Sequence, residues 1–589
     1  MSRLARSRRE ASGSPMFRLR IGFIVIAMVL SFFGARLIQL QAIDPKSYAA
    51  MAKRDGVITA DLPADRGAIV DRSGVELAAS VDGMMVIGDP ELARDDAPQI
   101  ARILAERLDL DYFSTLERLR KSGTRYQYLA RRVPATKAEA VLKELDELDY
   151  KGITLERDPM RNYPSDDIAA NLIGFLGEDE PLAGMERTFD TQLAGTDGKA
   201  TYEVGAGYRI PLGESTTVKP KNGETLQLTI DRDVQFYTQR ALAAAVTKAR
   251  ADSGTAVVLD TKTGQTLALA DVPTFNANKP PLETKRNAKN LGARSLSEPY
   301  EPGSVEKALT FAALIDAGKI TPRTRIVVPS EIKRAGAAPI GDHWDHDKIK
   351  LTAAGVLAKS SNIGTVIAAR RLPSETLYDY LTSFGLGQRT NIGVRGESAG
   401  VVPDGATWSE GTHDTIAFGQ GLSVNAMQMA AAVNTLANGG VYVDPSLVMG
   451  TATTDSGQKV GTSQAGTHRV VSEDAARQTA EMMELVTAEG EAGSAAAVPN
   501  YRVAGKTGTA QRVGKDCRCY DGTFTVSFGG FAPADDPRFT VYVVLQNPRN
   551  GMGGGGNAGP VFKQVMTYLL GKYGVKPTGT TPSTLPIEW

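Results

Sequence analysis

The sequence predicts an α+β, multidomain protein. Its carboxy-terminal domain has one antiparallel sheet flanked by helices, preceded by an amino-terminal domain and one transmembrane helix. Three observations predict this. At 589 residues the chain is too long for one ordinary core. A basic leader is followed by a single apolar run of membrane-spanning length. Two groups of β runs, TAVVLDTKTGQTLALADVP from residue 255 and TFTVSFGGFAPADDPRFTVYVVLQ from residue 523, enclose residues 303 to 490, where helical patterns alternate with glycine-rich loops.

The first twenty residues carry six arginines against one acid, Glu10, and read as a basic cytoplasmic tail. Residues 21 to 40 are apolar enough to cross a bilayer as one anchor helix, with Arg36 able to snorkel. A cleaved signal peptide is the weaker reading, because small residues do not occupy both cleavage positions around Phe33-Gly34-Ala35-Arg36. The positive-inside bias then puts the rest of the chain outside the membrane. Apolar residues make up 42%, which favours folded sequence, and Lys plus Arg (67) equals Asp plus Glu (67). That balance removes the electrostatic argument for a nucleic-acid binder. The two cysteines, Cys517 and Cys519, are read as free or loosely paired thiols on a loop, since a bridge across one residue is strained.

Residues 41 to 223 form the expected non-catalytic amino-terminal domain. Within it, residues 65 to 80 read as a hairpin turning at Arg72-Ser73-Gly74, residues 97 to 120 and 135 to 148 as helices, and residues 184 to 223 as a connecting region. A new domain starts near residue 224, with a strand at 225 to 229 and a helix capped by Asp231, and runs to about residue 575. Residues 576 to 589 are expected to be a flexible tail.

Three Ser-x-x-Lys patterns occur: Ser304/Lys307, Ser330/Lys333 and Ser456/Lys459. Only the first has Pro-Gly before the serine and a long apolar helix pattern after it, which places Ser304 at the first turn of a buried helix. Lys307 lies about 60° from Ser304 and one turn on, within reach of its hydroxyl, while Glu306 lies about 160° round. For Lys307 to act as a base its pKa must fall, through burial and a second nearby cation. VAGKTGTAQ, residues 503 to 511, offers that second lysine, Lys506, on a strand where Thr507 and Thr509 share one face and Lys506 and Gly508 the other. The other Lys-Thr-Gly, at 262 to 264, reads as a hairpin turn. Ser360-Ser361-Asn362 interrupts a helical apolar pattern, an odd location unless the side chains have partners. Ser423-Val424-Asn425 has the same spacing, so this pattern alone is ambiguous.

Together these residues resemble the penicilloyl-serine transferase (β-lactamase-like) superfamily, whose active-site elements run Ser-x-x-Lys, Ser-x-Asn, Lys-Thr-Gly in chain order. Ser304/Lys307, Ser360/Asn362 and Lys506/Thr507/Gly508 match in order and setting. The resemblance decides against the copies at 262 and 423. The apolar anchor, RGAIVDRSGVELA (66 to 78), RNYPSDDIAANLIGF (161 to 175), GMERTFDTQLAGTDG (184 to 198) and YEPGS (300 to 304) are similar to class B penicillin-binding proteins, most like the division-specific D,D-transpeptidase of FtsI type. Two departures stand out: Val305-Glu306 between the serine and the lysine, and the Cys517-Arg518-Cys519 loop.

The resemblance implies an elongated amino-terminal pedestal and a serine-type D-Ala-D-Ala transpeptidase that acts without cofactor or metal. Ser304 would be the nucleophile and Lys307 its base. Ser360 would relay a proton, Asn362 would hold the substrate amide, and Lys506 would set the local potential. Thr507, Gly508 and Thr509 would form the substrate-binding strand. Implied partners are peptidoglycan stem peptides, β-lactam antibiotics, a membrane-embedded glycan polymerase of FtsW type and divisome proteins. A D,D-carboxypeptidase, or a scaffold or sensor that binds β-lactams, are the competing expectations. Residues 342 to 347, DHWDHD, have ligand-like spacing but read better as a loop near the cleft than as a metal site.

Overall fold

The computed structural model describes residues 15–39, 57–177, 180–205, 208–209, 215–281, 291–334, 337–514, 519–551 and 553–589. The chain divides into two compact units, one comprising residues up to Pro63 together with Asp197–Lys221, the other Ala64–Thr196 together with Asn222–Trp589.

The first unit holds helix α1 (Pro15–Ile38) and a small antiparallel sheet. With 24 residues, α1 is about 36 Å long, and the mean hydropathy of Met16–Ile38 is 2.3. It is long and apolar enough to cross a membrane, as the sequence predicts. In the sheet, Gly198–Gly205 pairs with Val57–Leu62 on one side and Ser215–Val218 on the other.

In the second unit the predicted hairpin forms between Ile69–Val70 and Glu76–Val81. Asp71 closes its turn by accepting from the backbone N–H groups of Ser73 (2.7 Å) and Val75 (2.9 Å). The strand expected at 225 to 229 is shorter, Leu226–Gln227, because it pairs in parallel with only Ile69–Val70. That pairing ties the start of the carboxy-terminal region to residues 69–70. Within the amino-terminal residues, the buried carboxylate of Glu186 accepts from Arg66 Nε (2.6 Å) and Arg161 Nε (2.7 Å). Residues 83–157 form a three-stranded antiparallel sheet covered by Ala97–Leu108 and Ala135–Glu147, whose apolar stripes pack together as their periodicity predicts.

The carboxy-terminal sheet has five antiparallel strands: β1 (Ser253–Asp260), β2 (Thr266–Val272), β3 (Ala504–Val513), β4 (Tyr520–Ala532) and β5 (Phe539–Gln546). Their order is β2-β1-β5-β4-β3, so the Lys-Thr-Gly strand β3 is an edge. Alternation along the strands sorts the core into two layers. Ala256, Val258, Val541 and Val543 pack with helices α2 (Arg232–Ala249) and α8 (Gly559–Lys572). Val257, Leu259, Tyr542 and Val544 pack into the layer containing α3 (Lys307–Asp316), α4 (Ala353–Ala358), α5 (Asn362–Ala369), α6 (Ala426–Ala437) and α7 (Glu473–Val486). Every residue of α6 is buried, which explains a helix apolar on all sides. Asp231 caps α2 as predicted, accepting from the N–H groups of Asp233 and Val234.

Residues 585–589, within the expected flexible tail, find partners on the carboxy-terminal region. Thr352 N donates to the Ile587 carbonyl (2.9 Å), Trp589 Nε1 donates to the Leu351 carbonyl (3.0 Å), and Arg325 and Lys350 lie over the Trp589 ring. These residues form an extended strap whose hydrogen-bond partners come from elsewhere in the chain. Of the two states that the sequence left open, free or loosely paired, Cys519 is disulfide-bonded. The chain's other cysteine, Cys517, lies outside the described residues.

Candidate active site

Gly303–Val305 form a single 3-10 turn, and α3 begins at Lys307, so the nucleophile candidate and the lysine straddle the junction. Gly303 has φ +59° and its nearest neighbours are Thr509 and Ala510 of β3, so a side chain there would be strained and crowded. At Gly508 a Cβ would fall 2.2 Å from Ser527 Oγ and 3.0 Å from Val305 Cγ2. Glycine at these two places lets the Ser304 turn lie against the edge strand. Ser304 is half-buried, whereas Ser330 and Ser456, the serines of the other two Ser-x-x-Lys copies, are exposed.

Lys307 is fully buried, and its Nζ donates to the Ser360 carbonyl (2.6 Å) and to Asn362 Oδ1 (2.7 Å), with Ser360 Oγ at 3.3 Å. The sequence placed its amine within reach of Ser304; in the structure its hydrogen bonds go to the Ser-x-Asn turn. Lys506, also fully buried, donates to the same Ser360 Oγ at 2.8 Å. Ser360 therefore links the two lysines. Its backbone has φ +56°, a left-handed conformation costly for a serine. The turn between α4 and α5 holds it there, and the hydroxyl points at both amines as a result. Thr507 is buried and Thr509 exposed, on the outer edge of the sheet.

Burial pushes both lysine pKa values down. Lys307 falls to about 7, with the nearby acids, Asp342 ahead of Glu306, partly offsetting the loss of solvation. Lys506 falls well below its ordinary value through burial and the neighbouring Lys307 charge. The sequence expected burial and a second cation to lower Lys307; burial does so, while the cation–cation effect falls on Lys506.

Glu306 was expected to be a charged residue turned away from the pair. It makes no bond to Lys307, but it is fully buried, and burial pushes its carboxyl well above the ordinary value. The single Thr310 hydroxyl proton has two acceptors, Glu306 Oε1 at 2.7 Å and the Ala417 carbonyl at 3.1 Å, so a proton on the carboxyl completes the set. Glu306→Gln, which keeps the shape and neutrality, is expected to change unfolding free energy by less than about 1 kcal/mol, and Glu306→Ala to cost about 2–3 kcal/mol. Denaturant unfolding of the detergent-solubilised chain checks both.

The competing motif copies have structural jobs. Lys262 and Thr263 lie in a turn closed on Asp260, and Asn425 makes a capping box with Gln428 at the start of α6. In the DHWDHD loop, Asp342 lies under the Ser361-Asn362 turn, and burial together with the Lys307 and Lys506 charges pushes the His343 pKa down. No group of three or more His, Cys, Asp or Glu side chains converges as a metal-ligand set among the described residues. The sequence placed this loop near the cleft but gave Asp342 no role, because a loop residue reaching a turn about twenty positions away leaves no spacing signal.

Residues 254–567 match the penicillin binding protein transpeptidase domain family, and residues 61–181 the penicillin-binding protein dimerisation domain family. Penicillin-binding protein PbpB of Mycolicibacterium smegmatis is 36% identical, with 98% of this chain and 93% of the relative covered. Peptidoglycan D,D-transpeptidase FtsI of Escherichia coli is 33% identical, with 96% of this chain and 93% of the relative covered. The crystal structure of penicillin binding protein 3 from Mycobacterium tuberculosis complexed with aztreonam superposes with a TM-score of 0.69 at 31% identity, covering 90% of this chain and all of that one. With a dimerisation domain, a transpeptidase domain and an apolar amino-terminal helix in one chain, this protein belongs to the class B penicillin-binding proteins.

Proposed function

We propose that this protein is a peptidoglycan D,D-transpeptidase of septal type, working through a Ser304 acyl-enzyme and anchored by α1 with its amino terminus in the cytoplasm. The carrying observation is that one serine, Ser360, joins two buried lysines whose pKa values are pushed down, one of which, Lys307, follows the half-buried Ser304 by three residues at the start of α3. Such a site holds neutral amine at neutral pH, which a serine nucleophile needs.

In the proposed reaction, neutral Lys307 takes the Ser304 hydroxyl proton as Oγ attacks the carbonyl between the two terminal D-alanines of a stem peptide. Backbone N–H groups of Ser304 and Thr509 hold the oxyanion, an interaction worth about 3–4 kcal/mol per donor in other enzymes. The C–N bond then breaks, and D-alanine leaves with a proton passed from the lysines through the Ser360 hydroxyl. Asn362 holds the substrate amide, and Thr507 and Thr509 bind the terminal carboxylate. The donor peptide lies along the open edge of β3 as an added strand, where Gly508 leaves room between the strand and the Ser304 turn. An acceptor amine attacks the ester and regenerates Ser304; a β-lactam in place of the peptide leaves a stable adduct. A membrane-embedded glycan polymerase and divisome proteins are the proposed partners.

Incubation of the full chain with a stem-peptide donor and an acceptor amine is expected to give crosslinked product with release of D-alanine, both lost in Ser304→Ala. Release of D-alanine with only hydrolysed donor would make the protein a carboxypeptidase.

A further inference from the structure

The turn that carries Ser360 and Asn362 is short, left-handed at Ser360, and must be held against strain. Its anchor comes from the 342–347 loop, whose acid Asp342 has a side chain wholly removed from solvent. Asp342 Oδ1 accepts from the backbone N–H groups of Asn362 (2.5 Å) and Ile363 (3.1 Å), the first free donors of α5. Asp342 Oδ2 accepts from Ser361 Oγ (2.6 Å) and faces His346 Nε2 (3.1 Å). Ser361 Oγ in turn accepts from Gly364 N (2.8 Å), and Asn362 Nδ2 donates to the Gly341 carbonyl (3.0 Å). Gly341 and Asp342 therefore hold the turn and the start of α5 at four points.

We propose that Asp342 is a positioning residue for the transfer reaction: it fixes the Ser360–Asn362 turn against Lys307 and Lys506 and supplies the negative charge that keeps Lys307 able to carry a proton. This rests on the transpeptidase reading above. Lys307 is faced by Glu306 from its own helix, by Asp342 from the loop beneath the turn, and by Lys506 from β3, with His343 beside both lysines. Burial pushes the Glu306 carboxyl up, and of the two acids Asp342 acts more strongly on Lys307. A base must not only take the Ser304 proton but also return one to the leaving amine. A buried lysine without a counter-charge does the first and fails at the second.

The test is the second-order rate of acylation by a fluorescent penicillin against pH, for the full chain in detergent. Asp342→Asn can present its amide oxygen to the two backbone donors while losing the charge. Removing a negative charge stabilises neutral Lys307, so the acid limb of the profile is expected to move to lower pH by about one unit, with a small rate loss at the plateau. Asp342→Ala also releases the turn, and acylation is expected to fall by about 10- to 100-fold. A limb at the wild-type pH in Asp342→Asn would overturn the proposal, even if the rate falls, since a purely structural anchor lowers the rate without moving the limb. Should Asp342→Ala not fold, Asp342→Asn alone still decides. Failure of the wild-type chain to acylate would instead sink the transpeptidase reading.

Discussion

Replacing Lys307 by methionine is expected to lower the rate of Ser304 acylation by about 10²- to 10⁴-fold while the protein stays folded. Methionine is similar in length and apolar, and Lys307 lies in an interior where its amine is the costly group. The wild-type profile carries the same information: acylation requires the neutral amine, so the rate is expected to rise as pH passes upward through about 7. The methionine variant should show no such limb. Time courses of fluorescent-penicillin labelling between about pH 5.5 and 9 read both. A limb that survives in Lys307→Met would assign it to another group, of which Lys506, bonded to the same Ser360 hydroxyl, is the first candidate.

The second large effect is on stability. Glu186 has no exposed side-chain surface and balances Arg66 and Arg161 at 2.6 and 2.7 Å. Glu186→Ala leaves two largely buried guanidinium groups without their shared carboxylate and is expected to cost about 3–5 kcal/mol. Thermal unfolding in detergent measures it, with Glu186→Gln falling between. Acylation of the fraction still folded should stay near wild type, because the ion pair lies on the GMERTFDTQLAG segment and not among the residues that handle the reacting atoms.

The residues proposed to react carry a signal in the sequence because their spacing is itself a structural constraint. Ser304 and Lys307 needed a turn entering a buried helix, and Pro302-Gly303 before an apolar run announced one. Lys506 needed an edge strand with a gap in its side chains, and Gly508 announced that. What the sequence could not show were relations between distant segments. Lys307 bonds the Ser360 carbonyl and Asn362 rather than Ser304, because the turn between α4 and α5 folds over it. Asp342 carries that turn from a different loop. Glu306 looked charged, since composition assigns a glutamate a charge and only burial takes it away. The strap at 585–589 looked loose because its partners, Leu351 and Thr352, are more than two hundred residues earlier.

The central claim is that one serine forms the acyl-enzyme and that it is Ser304. Peptide mapping by mass spectrometry after reaction of the wild-type chain with benzylpenicillin tests it most directly. The account predicts the penicilloyl mass on the peptide containing Ser304, and no labelled peptide from Ser304→Ala. An adduct on Ser360, on another residue, or persisting in Ser304→Ala would contradict it.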